Sequence, residues 1–194
     1  MDALAPWEVT AVVVTRGDCD LTRVIESLIF PKVTIWNNRG GEDLGAYGRY
    51  QAILEETRNS VVYVQDDDCT LSGDDQLRLV AAYEPGVVTA MMPPERIDYL
   101  DTVLIGWGAI FDRDLPAQAF ERWRAAGHPT DTPEFRVVGA DFVFPMLSKW
   151  KRLDGYHTDL PHAHGTNRTW ASWPDYANVK ARYLHEARAI RDGS

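Results

Sequence analysis

The sequence predicts an α/β domain with a mixed, mainly parallel central sheet flanked by helices, and three observations carry that expectation. Apolar, β-branched runs of strand length recur at residues 9–15, 33–36, 61–64 and 87–92. Stretches with helical spacing of apolar residues alternate with the first of these runs, the order that builds parallel sheets. The third run, Val61-Val62-Tyr63-Val64-Gln65, drives straight into Asp66-Asp67-Asp68, as a buried strand does when it delivers polar groups to a sheet edge.

The elements follow in order. Val9 to Thr15 is continuous enough for a central strand covered on both faces. Asp18 or Asp20 can cap a helix carrying Leu21, Val24, Ile25 and Leu28 at i, i+3, i+4 and i+7. Pro31 closes it, and Val33 to Trp36 forms a second strand ending in the turn Asn37-Asn38-Arg39-Gly40-Gly41. A right-handed crossover makes these strands parallel. Gly45 to Thr57 reads as a helix with Ala46, Tyr50, Ile53 and Leu54 inward, followed by the acidic strand. Ser72 caps a helix from about Asp74 to Tyr83, and Val87 to Met92 is a fourth strand before Pro93-Pro94.

The second half is less regular. Val103 to Phe111 is apolar but broken by Gly106-Trp107-Gly108, which suits either a backbone approaching a ligand or a bulge with Trp107 in the core. Pro116 to Ala126 reads as a helix with Phe120 and Trp123 inward, and His128 to Phe135 as a surface loop. From Val137 to Trp150 the chain is mostly apolar around one acid, Asp141. Burial would raise its pKa toward a general base's range, or it caps the following helix. Pro145 requires that helix to start late or bend. Ser172-x-x-Asp175 caps a last helix whose Tyr176, Val179, Tyr183 and Ile190 form a stripe for the domain or a partner.

Composition narrows the function. The 194 residues, 45% hydrophobic with seven Trp, suit one globular domain. Twenty basic against 29 acidic residues give a net charge of −9, which opposes general binding to nucleic acid or anionic membrane. Two cysteines, Cys19 and Cys69, make neither a disulfide framework nor a thiolate zinc cluster. No apolar run approaches the ~20 residues of a membrane span. The segment Met1 to Trp7 is too short and acidic for a secretory signal, and the sparse cysteines make a reducing cytoplasm the expected location.

The strand order places the ends of the first three strands at one edge, where open α/β sheets bind ligands. Arg16, Asn37, Asn38 and the three aspartates are expected to meet there. Three adjacent carboxylates suit a divalent cation that carries a phosphorylated ligand, or else a solvated turn. The late cluster His162-x-His164 with Asn167 and Arg168 can supply a metal ligand and a phosphate partner, or a polar surface loop. The glycines form neither a Walker nor a Rossmann fingerprint.

Taken together, Val14-Thr15-Arg16, Trp36-Asn37-Asn38, Gly45-x-Tyr47-Gly48-Arg49, Val64-Gln65-Asp66-Asp67-Asp68, Leu104-Ile105-Gly106, the Asp141 segment and the His/Arg loop resemble a GT-A (Rossmann-like) glycosyltransferase. The likeness is to the exostosin-like (family 64-like) and family 2-like transferases. It implies a single domain over 1–194, with a nucleotide-sugar half at 9–92, an acceptor and catalytic half at 93–170, and a C-terminal helix at 172–194. It implies a sugar moved from a nucleoside-diphosphate sugar, a UDP-sugar first, to a hydroxyl of a glycan or a modified nucleic-acid base. Asp68 and His164 are then ligands of Mn²⁺ or Mg²⁺. Thr15, Arg16, Asn38, Arg49, Asp66, Asp67 and Arg168 serve the donor, and Asp141 is the catalytic acid residue, a base if the enzyme inverts. The C-terminal helix offers a surface for a homo-oligomer. The alternatives are a nucleotidyltransferase, which lacks here a glycine-rich basic loop after the first strand, and a non-catalytic sugar-nucleotide-binding domain.

Overall fold

A computed structural model of the chain describes residues 3–17, 19–38, 43–96, 101–161 and 173–193. Its strands are β1 (Val9–Thr15), β2 (Lys32–Asn37), β3 (Val61–Asp66), β4 (Cys69–Thr70), β5 (Val87–Met92), β6 (Ala109–Asp112), β7 (Lys149–Asp154) and β8 (Thr158–Asp159). Its α-helices are α1 (Leu21–Ser27), α2 (Gly48–Glu55), α3 (Gly73–Ala82), α4 (Leu115–Ala125), α5 (Ala140–Leu147) and α6 (Tyr176–Asp192). A six-stranded sheet runs β2-β1-β3-β6-β5-β7. β1 is parallel to β2 and β3, β5 is parallel to β7, and β6 is antiparallel to both its neighbours. The sheet is thus mixed and mainly parallel. A small second sheet pairs β4 with β8.

Strand alternation divides the core between the two faces of the sheet. On β3, Val62 and Val64 join Val12, Ile53, Phe111, Phe120, Trp123 and Phe144 beneath α2, α4, α5 and α6. Val61 and Tyr63 face the other way, with Phe30, Leu79, Val80 and Met91. Every residue of β1 and of β5 is buried, as expected for strands covered on both faces.

Several local expectations meet the structure. The Asp20 side chain accepts from the Thr22 amide at 3.0 Å, and Ser72 accepts from the Asp75 amide at 3.1 Å, each capping its helix. Ile25 and Leu54, expected inward, are exposed: the short helix α1 buries Val24 alone, and α2 buries Gly48 to Tyr50, Ala52 and Ile53.

The segment expected as a loop ends in helix. Thr132 Oγ1 accepts from the Phe135 amide at 3.1 Å, with Pro133 in the first turn. A π-helical stretch, Phe135–Gly139, then runs without a break into α5. Pro145 lies inside α5, where it removes the amide that the Asp141 carbonyl would otherwise meet. Strand β7 was not expected, and helix α6 lays Val179, Tyr183 and Ala187 into the domain core. A Cβ added at Gly139 would stand 2.6 Å from the Tyr183 ring, so that packing needs glycine. No helix among the described residues is long and apolar enough to cross a membrane.

Candidate functional site

The acidic turn is built by its own strand. Gln65, fully buried, accepts from the Tyr63 hydroxyl at 2.6 Å and donates to the Cys69 carbonyl at 2.8 Å, so its amide spans the three aspartates. The Asp66 amide donates to the Gly106 carbonyl at 2.7 Å, which ties the end of β3 to the segment before β6. Burial pushes the Cys69 thiol well up, and the nearby charge of Asp66 adds to this. The Cys69 thiol leans on the Gly106 carbonyl at 3.5 Å.

Asp66 and Asp68 line a cavity of about 460 Å³ at the C-terminal edge of the parallel strands. Its other walls come from Ala46 before α2, from Pro93, Glu95 and Arg96 after β5, from Leu104 to Trp107, from Val137, Val138, Asp141 and Phe142, from His157 and Asp159 beyond β7, and from Tyr176 on α6. Trp107 stacks on His157 with ring centroids 4.2 Å apart, Arg96 lies over Trp107 at 4.9 Å, and His157 Nε2 is 3.2 Å from Asp159 Oδ1. Trp107 is accordingly a wall of the cavity and not a core residue.

Asp141 reaches the same cavity from α5. It does not cap the helix. Its Oδ1 accepts from the Tyr50 hydroxyl at 2.7 Å, and its Oδ2 lies 3.3 Å from Arg49 Nη2. The same Nη2 is 2.6 Å from Asp66 Oδ1. One guanidinium therefore joins the strand-end acid to the acid on α5. Burial pushes the Asp141 carboxyl up, the Arg49 charge pulls it down, and the Asp66 charge pushes it up again; the balance is a raised pKa. Burial also opposes charge on Arg49, but Asp141 and Asp66 outweigh it and hold the guanidinium charged. The Tyr50 phenol is pushed well up by burial and by Asp141, so it stays a donor.

The remaining expected residues sit elsewhere. Arg49 is only 3% exposed in its side chain and stands behind the cavity wall. Asn38 is buried and organises its own turn: it accepts from Trp36 Nε1 at 3.0 Å and donates to the Gly45 carbonyl at 3.1 Å. Thr15 Oγ1 accepts from the Gly17 amide at 2.7 Å, and Arg16 pairs with Asp43 at 2.9 Å. Thr15, Arg16, Asn38 and Asp67 are not part of the cavity lining. His164 and Arg168 lie outside the described residues. Tyr50, Gln65, Glu95, His157 and Asp159 were not singled out from the sequence for the site. A helical neighbour such as Tyr50 gives no spacing signal beside Arg49, Gln65 is buried beneath the turn and not on the lining, and Glu95, His157 and Asp159 meet the cavity only through tertiary packing.

Among the described residues, no three His, Cys, Asp or Glu side chains stand together closely enough to hold a metal ion. Asp66 is already paired with Arg49, while Asp68 lines the open cavity. This set fits a cation bound by one or two carboxylates together with a ligand's phosphates, the usual mode for Mg²⁺, and does not fit an all-protein cage.

Fold and site together define an α/β domain of GT-A-like type with an acid-walled cavity at the sheet edge. No protein-family model matches the chain, and no curated protein matches it. Solved structures do. The 4-diphosphocytidyl-2C-methyl-D-erythritol synthase from Anaerococcus prevotii DSM 20548 is similar at 11% identity, over 92% of this chain and 99% of that one, with a TM-score of 0.56. The mannosyltransferase PcManGT from Pyrobaculum calidifontis, in complex with GDP-Man and Mn2+, is similar at 15% identity, over 97% of this chain and 72% of that one, with a TM-score of 0.54. Both neighbours are enzymes, and at these identities the likeness is one of fold.

Proposed function

We propose that the chain is a glycosyltransferase that moves a sugar from a nucleoside-diphosphate sugar to a hydroxyl acceptor with the help of a divalent cation. The observation that carries the reading is the meeting of Asp66, Asp68 and Asp141 in one cavity at the C-terminal sheet edge. The fold shared with a mannosyltransferase in complex with GDP-Man and Mn2+ supports a nucleotide-sugar donor and a metal. The narrower kinship with exostosin-like and family 2-like enzymes rests on the ordered residues of the sequence.

Asp68 would hold the cation, with His164 its second protein ligand, and Arg168 would serve the diphosphate. A bound divalent cation supplies positive charge where the leaving diphosphate gains negative charge. Asp141 lies across the cavity, oriented by Tyr50 and Arg49, with its pKa raised as a proton acceptor for a hydroxyl requires. Among the described residues of the lining, carboxylates at Asp66, Asp68, Glu95, Asp141 and Asp159 outnumber the cations, which favours a glycan hydroxyl over a polyanionic acceptor.

The test is donor binding with UDP-, GDP- and dTDP-sugars in Mn²⁺. Asp68→Asn is expected to abolish metal-supported binding, and unchanged transfer in that variant defeats the assignment. Nucleotidyl transfer is a second reading, favoured by the match to 99% of the synthase chain. Products separate the two: nucleoside diphosphate marks sugar transfer, and pyrophosphate marks nucleotidyl transfer.

A further inference from the structure

We infer that Arg49 is a positioning residue: one buried guanidinium bridges the strand-end acid Asp66 and the reaction-side acid Asp141, so that what engages Asp66 changes the hold on Asp141. The inference rests on the reading of Asp141 as the acid that works on the acceptor hydroxyl. It assigns Arg49 a task other than contact with the donor.

The geometry separates these two tasks. The Arg49 side chain is 3% exposed, whereas those of Asp66 and Asp141 are 33% and 24% exposed and line the cavity. A ligand in the cavity therefore meets the carboxylates before it meets the cation. Arg49 is itself anchored, since Nε donates to the Ala46 carbonyl at 3.2 Å on the approach to α2. Tyr50, the next residue along, holds the other oxygen of Asp141. Two consecutive residues of one helix thus fix both oxygens of the acid on α5.

The bridge also has room to adjust. Nη1 of Arg49 is buried and makes no hydrogen bond among the described residues, while Nη2 serves both acids. A ligand that draws Asp66 away leaves the guanidinium to Asp141 alone, with Nη1 as a further donor. Only a planar fork can do this, because a lysine ammonium is a point charge on a flexible stem and does not span two carboxylates with fixed geometry. A role confined to stability would leave turnover intact, and a donor contact would lower affinity and turnover together.

The experiment uses the full chain with ¹³C-carboxyl aspartate, the Asp141 resonance being assigned by Asp141→Asn. Without ligand at pH 7, Asp66→Asn is expected to move the Asp141 resonance in the parent, and to move it less than half as far in Arg49→Lys. Equal movement in both backgrounds overturns the bridge. Should Arg49→Lys not fold, Asp66→Asn in the parent still decides, because an unmoved Asp141 resonance has the same meaning. In turnover, Arg49→Lys is expected to lose about 10–100-fold in kcat, with KM for the nucleotide sugar within about threefold. Unchanged kcat, or a matching loss of donor affinity, overturns the positioning role. If the parent neither binds nor turns over any UDP-, GDP- or dTDP-sugar with Mn²⁺, the glycosyltransferase reading fails, while the resonance arm still decides the bridge.

Discussion

Gly106→Ala puts one methyl group into the tightest contact of the site. A Cβ built at Gly106 stands 2.1 Å from Asp66 Oδ2, 2.7 Å from Cγ and 2.9 Å from Oδ1. Carbon contacts settle at about 3.5–4.0 Å, so the carboxylate has to retreat by more than about 1 Å. Retreat is restricted: Oδ1 is 2.6 Å from Arg49, and the Asp66 amide is tied to the Gly106 carbonyl at 2.7 Å. Gly106 is not among the positive-φ glycines, so alanine brings no backbone penalty of its own. Overpacking of this kind costs about 1–3 kcal/mol. The strained Arg49–Asp66 pair adds to it, discounted because Asp66 is a third exposed. The reduced freedom of the unfolded chain returns about 0.4–1 kcal/mol. A net loss of about 2 kcal/mol lowers a urea midpoint by about 1 M for a slope near 2 kcal/mol/M. Urea unfolding followed by circular dichroism measures it, beside binding of Mn²⁺ with UDP-sugars. A variant with the parent's midpoint and the parent's donor binding refutes the argument that Gly106 exists to let Asp66 in.

Three further outcomes follow from the same geometry. Burial first, and the Asp66 charge after it, raise the folded pKa of Asp141 above its unfolded value despite Arg49. The stability linked to that carboxyl is therefore present below the unfolded pKa and lost as pH rises through the folded one. The stability of Asp141→Asn, measured by urea titration, should accordingly gain on the parent as pH rises above the usual carboxylate range, and a difference that does not change with pH contradicts the shift. Gln65→Ala leaves the Tyr63 hydroxyl and the Cys69 carbonyl without their partner and is expected to cost about 2–4 kcal/mol; a loss below about 1 kcal/mol in chemical unfolding means the turn does not depend on that amide. Gly139→Ala drives a methyl group against Tyr183 and should loosen α6, at about 1–3 kcal/mol. Hydrogen exchange on Tyr176–Asp192 reads it, and full protection of that helix argues against the contact.

The half of the fold that was legible is the half whose burial pattern is simple. Strands β1, β2, β3 and β5 are uninterrupted β-formers, and α1 and α3 carry their own capping residues. The reversed strand β6 has no such signal, because its direction is set by how residues 101–108 fold back and not by its own four residues. Strand β7 escaped for a different reason. At the sheet edge, Lys149 and Lys151 are exposed, and Arg152 on the other face turns to the Pro93 and Arg96 carbonyls, so basic residues on both faces hide the alternation. The start of the helix leading to α5 was written in the sequence as Thr132-Pro133, a cap followed by an N1 proline. Those same residue types also read as a turn, and nothing local decides between the two.

Strand alternation bears on the site in the same way. Asp66 and Asp68 are two apart and share the cavity wall, whereas Asp67 between them does not contribute to it. That is the period of a β-strand carried into its turn. What the sequence could not show is the electrostatic company that Asp66 keeps. Asp66 has a buried guanidinium at 2.6 Å and is closed in by Gly106. Asp68 is reached through its carbonyl by the Leu160 amide at 2.7 Å, from the chain just past β8. The partner of Asp66 comes from helix α2 and links it to Asp141, which lies 75 residues further along the chain. Within the triple aspartate, Asp66 is therefore locked into the fold's own charge network, while Asp68 shares the cavity wall with it.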